Sequence, residues 1–162
     1  MTSAEFKILF DEHFSELRRY IFYKGASEDV ATDIAQAVFV KLWEKKPNSK
    51  PKEIIGLLYK MASDIFISKY RHDKVVANYA AKAPPPDTYQ SPEEVLEYKE
   101  LNQKYETALE KLPDKQREVF LLSRMEELKY YEIAERLELS VKAVEKRMKN
   151  ALQFLREAIL TS

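Results

Sequence analysis

Apolar residues along most of this chain recur every three or four positions, the spacing that places them on one face of an α-helix. Near the amino terminus the repeat runs from Phe6 to Ile21, and a second repeat begins after Ser27, a residue type that caps helices. A third repeat covers about 52–71. No segment alternates convincingly with a period of two, so the pattern predicts an all-α protein.

The carboxyl-terminal half shows the same spacing between start and stop signals. Ser91 and Pro92 read as a capping residue followed by proline at the first helical position, and this helix is predicted to end at Pro113. Residues 84–86 are consecutive prolines, which lack amide donors and cannot continue a helix. We therefore predict two small helical domains joined by a proline-containing linker, with the boundaries 1–74, 75–92 for the linker and 93–162.

The composition excludes several classes of protein. The chain has 162 residues with no cysteine and only two glycines, which excludes disulfide frameworks, thiolate metal sites and glycine-rich phosphate loops. His13 and His72 lack the helical spacing of a metal site. We therefore expect no enzymatic activity, no cofactor and no metal. Charges interrupt every apolar run before it could span a bilayer, so we also expect a cytoplasmic protein without membrane insertion.

The formal net charge is zero, but the charges are segregated along the chain. Lys and Arg number 27, as do Asp and Glu. Five successive segments carry net charges of −3, +5, 0, −5 and +3: 1–40, 41–74, 75–92, 93–138 and 139–162. Positive charge is thus concentrated on two segments, and a nucleic-acid partner is compatible with a neutral total.

The stretch from Tyr130 to Ile159 has the pattern of a helix-turn-helix. A short amphipathic helix ends at Leu137, Glu138 occupies a turn position where glycine is common, and Ser140 is suited to cap the last helix. That helix combines an apolar stripe with a basic face, which is either solvated or placed in the major groove of DNA. The expected contacts to DNA are Ser140, Val141, Lys142, Lys146, Arg147 and Lys149.

These motifs resemble those of bacterial RNA polymerase sigma factors of the extracytoplasmic-function class. Residues 112–120, 131–137 and 140–147 are similar to the family's fourth conserved region, which binds the upstream promoter element, near minus thirty-five, and touches core polymerase. Residues 29–44 resemble the second-region helix that docks on polymerase. The resemblance implies a transcription initiation factor whose partners are core RNA polymerase, promoter DNA and an anti-sigma factor.

The resemblance also implies roles for the amino-terminal half. Residues 55–72 resemble the segment that melts and reads the downstream element, near minus ten, where a basic groove and aromatic surfaces receive unstacked bases. The downstream contacts implied are Tyr59, Lys60, Ser63, Asp64, Lys69 and Arg71. The polymerase contacts implied are Asp33, Gln36, Phe39 and Trp43. Large side chains also fill the cores of small bundles, so Phe39, Trp43 and Tyr59 can equally be core residues.

Two other functions stay open from the sequence alone. A helix-turn-helix regulator would bind DNA independently of polymerase and use its amino-terminal helices for dimerisation or sensing. A helical adaptor would bind only protein. A binding experiment with core polymerase distinguishes such a regulator from a sigma factor. The regulator binds promoter DNA specifically without polymerase, whereas a sigma factor binds core polymerase.

Overall fold

The computed structural model describes residues 1–70 and 91–160, which form seven α-helices without a strand. The all-α prediction is therefore confirmed. The helices are α1 (Ser3–Tyr23), α2 (Glu28–Lys45), α3 (Pro51–Tyr70), α4 (Pro92–Lys111), α5 (Asp114–Met125), α6 (Tyr130–Leu137) and α7 (Val141–Leu160). None of these helices is long and apolar enough to cross a membrane. Most of the predicted linker lies outside the described residues.

Two predicted helix starts are confirmed by capping hydrogen bonds. The hydroxyl of Ser27 accepts a hydrogen bond from the amide of Val30 at 3.2 Å and begins α2. The hydroxyl of Ser91 accepts from the amide of Glu94, also at 3.2 Å, and begins α4. Pro92 occupies the first turn of α4, where no intrahelical amide donor is needed. Local chemistry therefore sets where these helices begin.

Helices α1, α2 and α3 pack pairwise on one another and form the amino-terminal unit. The predicted apolar stripes face inward, with Ile21, Val38 and Leu58 fully buried at the centre. Removing one such side chain from water contributes about 1.5–3 kcal/mol, so this stripe accounts for most of the stability of each helix.

Helix α7 is the centre of the carboxyl-terminal unit, because α4, α5 and α6 all pack against it. Leu109 of α4, Val119 of α5, Ile133 of α6 and Val144 of α7 are each fully buried in this unit. The packing holds the short α6 and the beginning of α7 in a fixed relation, which positions the predicted recognition helix.

The two units also pack on each other, α1 against α5 and α3 against α6. At Gly56 of α3 the approach is close: a Cβ atom there would lie 3.1 Å from Oε1 of Glu138 and 3.6 Å from the carbonyl oxygen of Glu135. Buried residues of both units form one continuous cluster. The domain boundaries 1–74 and 93–162 stay a prediction.

Candidate nucleic-acid and polymerase interfaces

The turn between α6 and α7 has the geometry of a helix-turn-helix. Glu138 adopts a left-handed conformation with φ of 56°, and its amide and that of Leu139 both donate to the carbonyl of Ala134. The hydroxyl of Ser140 then caps α7 by accepting from the amide of Ala143 at 3.1 Å. The chain therefore turns sharply without glycine, at a backbone cost of roughly 1–2 kcal/mol for Glu138.

Helix α7 packs by one face and leaves another exposed. Its buried side chains are Val144, Met148, Ala151 and Leu155. The predicted upstream contacts that are exposed to solvent are Ser140, Val141, Lys142, Lys146 and Lys149. A capped helix with three exposed lysines can lie along DNA with its first turns toward the bases.

Arg147 lies on a different side of α7 from these lysines. At 3.6 residues per turn it is rotated by about 140° from Lys142. It is half-buried and lines a cleft of about 430 Å³ that it shares with Lys60, Ser63 and Asp64 of α3. The structure thus brings one predicted upstream contact together with four predicted downstream contacts, because Tyr59 also lines this cleft.

The predicted downstream contacts on α3 differ in exposure. Those exposed to solvent are Lys60, Asp64 and Lys69, with Ser63 half-buried. Tyr59 is only 2% exposed, and its ring centroid lies 4.7 Å from that of Tyr20. Burial raises the pKa of the Tyr59 phenol. Tyr59 is therefore a core residue in this conformation, inaccessible to a base, while Arg71 lies outside the described residues.

The four predicted polymerase contacts on α2 also differ. Asp33 and Gln36 are exposed, Trp43 is half-buried, and Phe39 is 2% exposed. The Phe39 ring packs against three phenylalanines of α1 at centroid distances of 5.2 to 6.1 Å: Phe6, Phe10 and Phe14. Phe39 therefore fills the core and forms the floor of a groove rather than a protruding anchor.

Helix α1 contributes residues to this groove that the sequence-based prediction of the docking face missed. The groove has a volume of about 600 Å³ between α1 and α2, and it is lined by Ser3, Phe6, Phe10, Gln36, Phe39, Val40, Trp43 and Glu44. Its rim includes Val40 at 57% exposure, and Nζ of Lys46 lies 4.2 Å from the Trp43 ring. The spacing of Phe6 and Phe10 predicts the helix that contains them. Only the packing of α1 on α2 shows that these two side chains stay partly exposed and line the groove.

Buried charge is concentrated where the two units meet. Lys24, Arg117 and Glu118 are the charged side chains that are buried within residues 1–70 and 91–160. Lys24 of α1's carboxyl end forms an ion pair with Glu118 of α5. The Arg117 guanidinium donates to the carbonyls of Tyr23 and Lys24 at 3.0 and 2.9 Å, and to Asp114 at 2.6 Å.

Further ion pairs join the units nearer the surface. Arg19 donates to both carboxylate oxygens of Glu126 at 2.7 to 2.9 Å, and the Tyr23 hydroxyl donates to the same group at 2.5 Å. Burial and the Glu126 carboxylate raise the pKa of Tyr23 well above its ordinary value. Arg136 of α6 lies 3.7 Å from Glu16. The sequence pattern indicates none of these pairs.

Known bacterial transcription factors are similar to this chain in sequence. The family profile of sigma-70, region 4, matches residues 102–155. The ferric citrate uptake sigma factor FecI of Escherichia coli is 29% identical over 153 residues, which cover 93% of this chain and 88% of FecI. The RNA polymerase sigma factor YlaC of Bacillus subtilis is 29% identical over 143 residues, 84% of this chain and 81% of YlaC.

A solved structure is similar in fold. The sigma factor RpoE from Bartonella quintana, crystallised with the anti-sigma factor NepR, superposes with a TM-score of 0.59 over 96% of both chains at 21% identity. At that identity the likeness concerns the fold, which it supports over both units. Together with the sequence relatives it confirms the resemblance drawn from the motifs, whereas a regulator that acts without polymerase has no support among them.

Proposed function

Because the chain belongs to the extracytoplasmic-function class of sigma factors, we propose that it directs core RNA polymerase to promoters by reading two separated elements. The observation that carries this proposal is the capped helix-turn-helix with its exposed lysines, at the carboxyl end of a chain that matches such a factor over 93% of its length. Factors of this kind are initiation factors rather than enzymes, and this one acts in the cytoplasm, where polymerase works.

The beginning of α7 reads the upstream element. Ser140, Val141 and Lys142 lie in the first turn, from which a recognition helix reaches base edges, and the exposed Val141 suits the methyl group of thymine. Lys146 and Lys149 lie further along the exposed face and neutralise phosphates, which adds affinity without sequence information. Arg147 faces α3 and contacts DNA only if that cleft opens.

The amino-terminal unit, over 1–74, opens the downstream element. The first contacts come from side chains of α3 that are not buried: Lys60, Ser63, Asp64 and Lys69. Tyr59 packs on Tyr20, so it stacks on a base only after it has left the core. Arg71 completes the proposed set at the end of this segment.

The same unit docks on polymerase through the groove between α1 and α2. Trp43 and the exposed edge of Val40 are apolar anchors, and Asp33 and Gln36 lie on the polar surface beside them. The linker over 75–92 spans the surface of polymerase to the unit at 93–162. RpoE of Bartonella quintana binds an anti-sigma factor, and we propose a partner of that class here too.

In-vitro transcription tests this function. Core polymerase from the source bacterium, incubated with a library of its genomic fragments, should give promoter-dependent transcripts only when this protein is added.

Trp43→Ala should weaken binding to core polymerase about 30-fold or more, since a desolvated aromatic anchor is worth roughly 2 kcal/mol. Lys41→Ala, at an exposed position of the same helix, is the matched control. If in-vitro transcription with the added protein gives no promoter-dependent transcript, the proposed function is wrong.

A further inference from the structure

We propose that Glu145 of α7 is a specificity-determining residue, which accepts a hydrogen bond from a cytosine of the upstream element. The assignment rests on the proposed function, in which the beginning of α7 enters the major groove of promoter DNA. Glu145 is not among the DNA contacts expected from the sequence, where positive charge is the guiding feature. Its place on the helix and the chemistry of the carboxylate group both point to a base rather than to a phosphate.

Glu145 lies on the same face of α7 as the exposed lysines. At 100° per residue, its side chain is rotated by about 60° from Lys142 and by about 40° from Lys149. All three side chains are exposed, whereas Val144, the residue before Glu145, is fully buried. When these lysines approach DNA, the Glu145 carboxylate therefore approaches it with them.

Glu145 is also close enough to the beginning of α7 to reach base edges. It follows Val141 by four residues, so the two exposed side chains lie one turn apart, about 6 Å along the helix axis. Base pairs are spaced at about 3.4 Å along DNA. With α7 lying along the groove, Glu145 meets a base about two pairs from the thymine proposed for Val141.

Other carboxylates of the helix-turn-helix and of α7 have partners within the protein. Glu132 accepts a hydrogen bond from the amide of Lys129 at 3.0 Å and so helps to begin α6. Glu157 accepts from the side-chain amide of Gln153 at 3.3 Å. Among residues 1–70 and 91–160, Glu145 has no ion-pair or hydrogen-bond partner for its side chain. Its carboxylate is therefore available to a ligand.

A carboxylate on this face distinguishes DNA sequences because most of the groove repels it. Phosphates are negative, and the major-groove edges of guanine and thymine present hydrogen-bond acceptors without a donor. Adenine presents its N6 donor beside the N7 acceptor, whereas cytosine presents the N4 amino group alone. An ionised carboxylate accepts but cannot donate, so cytosine is the base that Glu145 fits best. The repulsion from the other bases adds to the specificity.

Selection from a random-sequence duplex library tests this assignment. Holoenzyme that contains the full chain should enrich a C·G pair at one position of the upstream element. Exchanging that pair for T·A should weaken binding at least about fivefold, the lower end of the cost of one mismatched pair. With Glu145→Ala, the same exchange should change the affinity by less than about twofold, since no carboxylate is left to read the base.

Glu145→Gln should change the preference rather than abolish it. A glutamine amide donates as well as accepts, and it pairs with N7 and N6 of adenine, so A·T should be enriched at the same position. Glu157→Gln makes the same chemical change at an exposed position about 18 Å further along α7 and is the matched control. The control should keep the base preference of the parent protein.

A purely structural role of Glu145 predicts a different result. Glu145 precedes Lys149 by four residues, a spacing at which opposite charges stabilise a helix slightly. That effect does not depend on DNA sequence, so it would leave the base preference of Glu145→Ala equal to that of the parent at every position. Equal preferences, or a parent protein that enriches no cytosine, would overturn the assignment.

The selection scores binding, so its outcome is separate from that of the proposed function. A cytosine preference that requires Glu145, in a holoenzyme that yields no transcript, would contradict the proposed function and support the assignment. Promoter-dependent transcripts with a base preference independent of Glu145 would do the reverse. If no holoenzyme forms, the full chain alone gives the same selection at low salt, where protein–DNA binding is strongest.

Discussion

At the scale of single residues, Lys24 and Glu118 show how strongly the junction depends on pairing. Both side chains are almost fully buried, at 5% and 8% exposure, and each is the other's counter-ion. Removing one partner leaves an uncompensated charge in a low-dielectric environment, whereas replacing both with apolar residues is often neutral. The pair therefore restricts how the junction can be assembled.

We predict that Lys24→Met lowers the free energy of unfolding by about 3–5 kcal/mol, because the Glu118 carboxylate stays buried without its partner. Combining it with Glu118→Met should recover at least half of that loss. Urea denaturation at pH 7 measures both, and Lys7→Met, at an exposed position of α1, is the control. A Lys24→Met variant as stable as the Lys7→Met variant would show that the pair is not buried in solution.

Glu16 makes the stability of the protein sensitive to acid. A hydrogen bond with His13, and then the charges of Arg136 and Arg19, hold the pKa of this carboxyl below its ordinary value of 4.5. A lowered pKa in the folded state stabilises it above the unfolded pKa, and this contribution is lost as the pH falls through the folded value. Glu16→Gln should therefore be less stable than the parent protein at pH 7, with the difference shrinking below about pH 4.5.

Urea denaturation from pH 7 down to pH 3 measures this pH dependence. Asp11→Asn, at an exposed position five residues earlier in α1, is the control and should leave the pH profile of the parent unchanged. A Glu16→Gln variant whose deficit stays constant down to pH 3 would contradict the assignment.

Residues whose role is local could be predicted from the sequence, and residues whose role is long-range could not. The caps Ser27, Ser91 and Ser140 bond to amides three positions away, so neighbouring residues suffice to indicate them. Arg117 reaches the carbonyl of Tyr23 across 94 positions. In an amphipathic pattern a buried arginine looks like a solvated one, and only the docking of the two units distinguishes them.

At the scale of elements, α7 both holds the carboxyl-terminal unit together and presents charge. Its apolar spacing predicted the buried face, and that prediction is confirmed by Val144 and Met148. Nearness in the sequence grouped Arg147 with the lysines, but helical rotation and the position of α3 place it in the cleft instead. A helix pattern thus predicts which side is buried, but not which neighbour the remaining sides meet.

We predict that Lys146→Ala weakens the affinity of holoenzyme for the upstream element several-fold and reduces the slope of log K against log salt by about 0.9, the value for one phosphate contact. Arg156→Ala removes the same charge from an exposed site about 15 Å further along α7 and is the control. Titrations of labelled promoter DNA at several salt concentrations measure both. Equal slopes for the two variants would show that another face of α7 meets the DNA.

At the scale of the whole molecule, zero net charge and DNA binding are reconciled by where the charges meet. The positive segments 41–74 and 139–162 supply Lys60 and Arg147 to the same cleft. Its lining carries five basic side chains, Lys24, Lys60, Lys115, Arg136 and Arg147, beside four acidic ones, Asp64, Asp114, Glu118 and Glu138. The cleft therefore neutralises within the protein part of the charge that DNA phosphates would neutralise. Nonspecific affinity for DNA rises with the number of phosphates neutralised, so the free protein should bind DNA weakly by itself.

The overall size of the free protein depends on whether the ion pairs hold the two units together. A chain of this length whose two units pack on each other should have a radius of gyration close to the ~15 Å expected for a compact fold. Glu126→Gln removes the carboxylate that Arg19 and Tyr23 share, and a charge-assisted bidentate pair is about twice as strong as a neutral contact. The radius of gyration of this variant should increase by several Å in small-angle X-ray scattering, whereas that of Glu127→Gln, at the exposed neighbouring position, should not.

High salt should also increase the radius of gyration of the parent protein, since the Arg19 side chain is 41% exposed and its charge can be screened. Identical scattering from both variants at low and high salt would mean that apolar contacts, rather than these ion pairs, hold the units together.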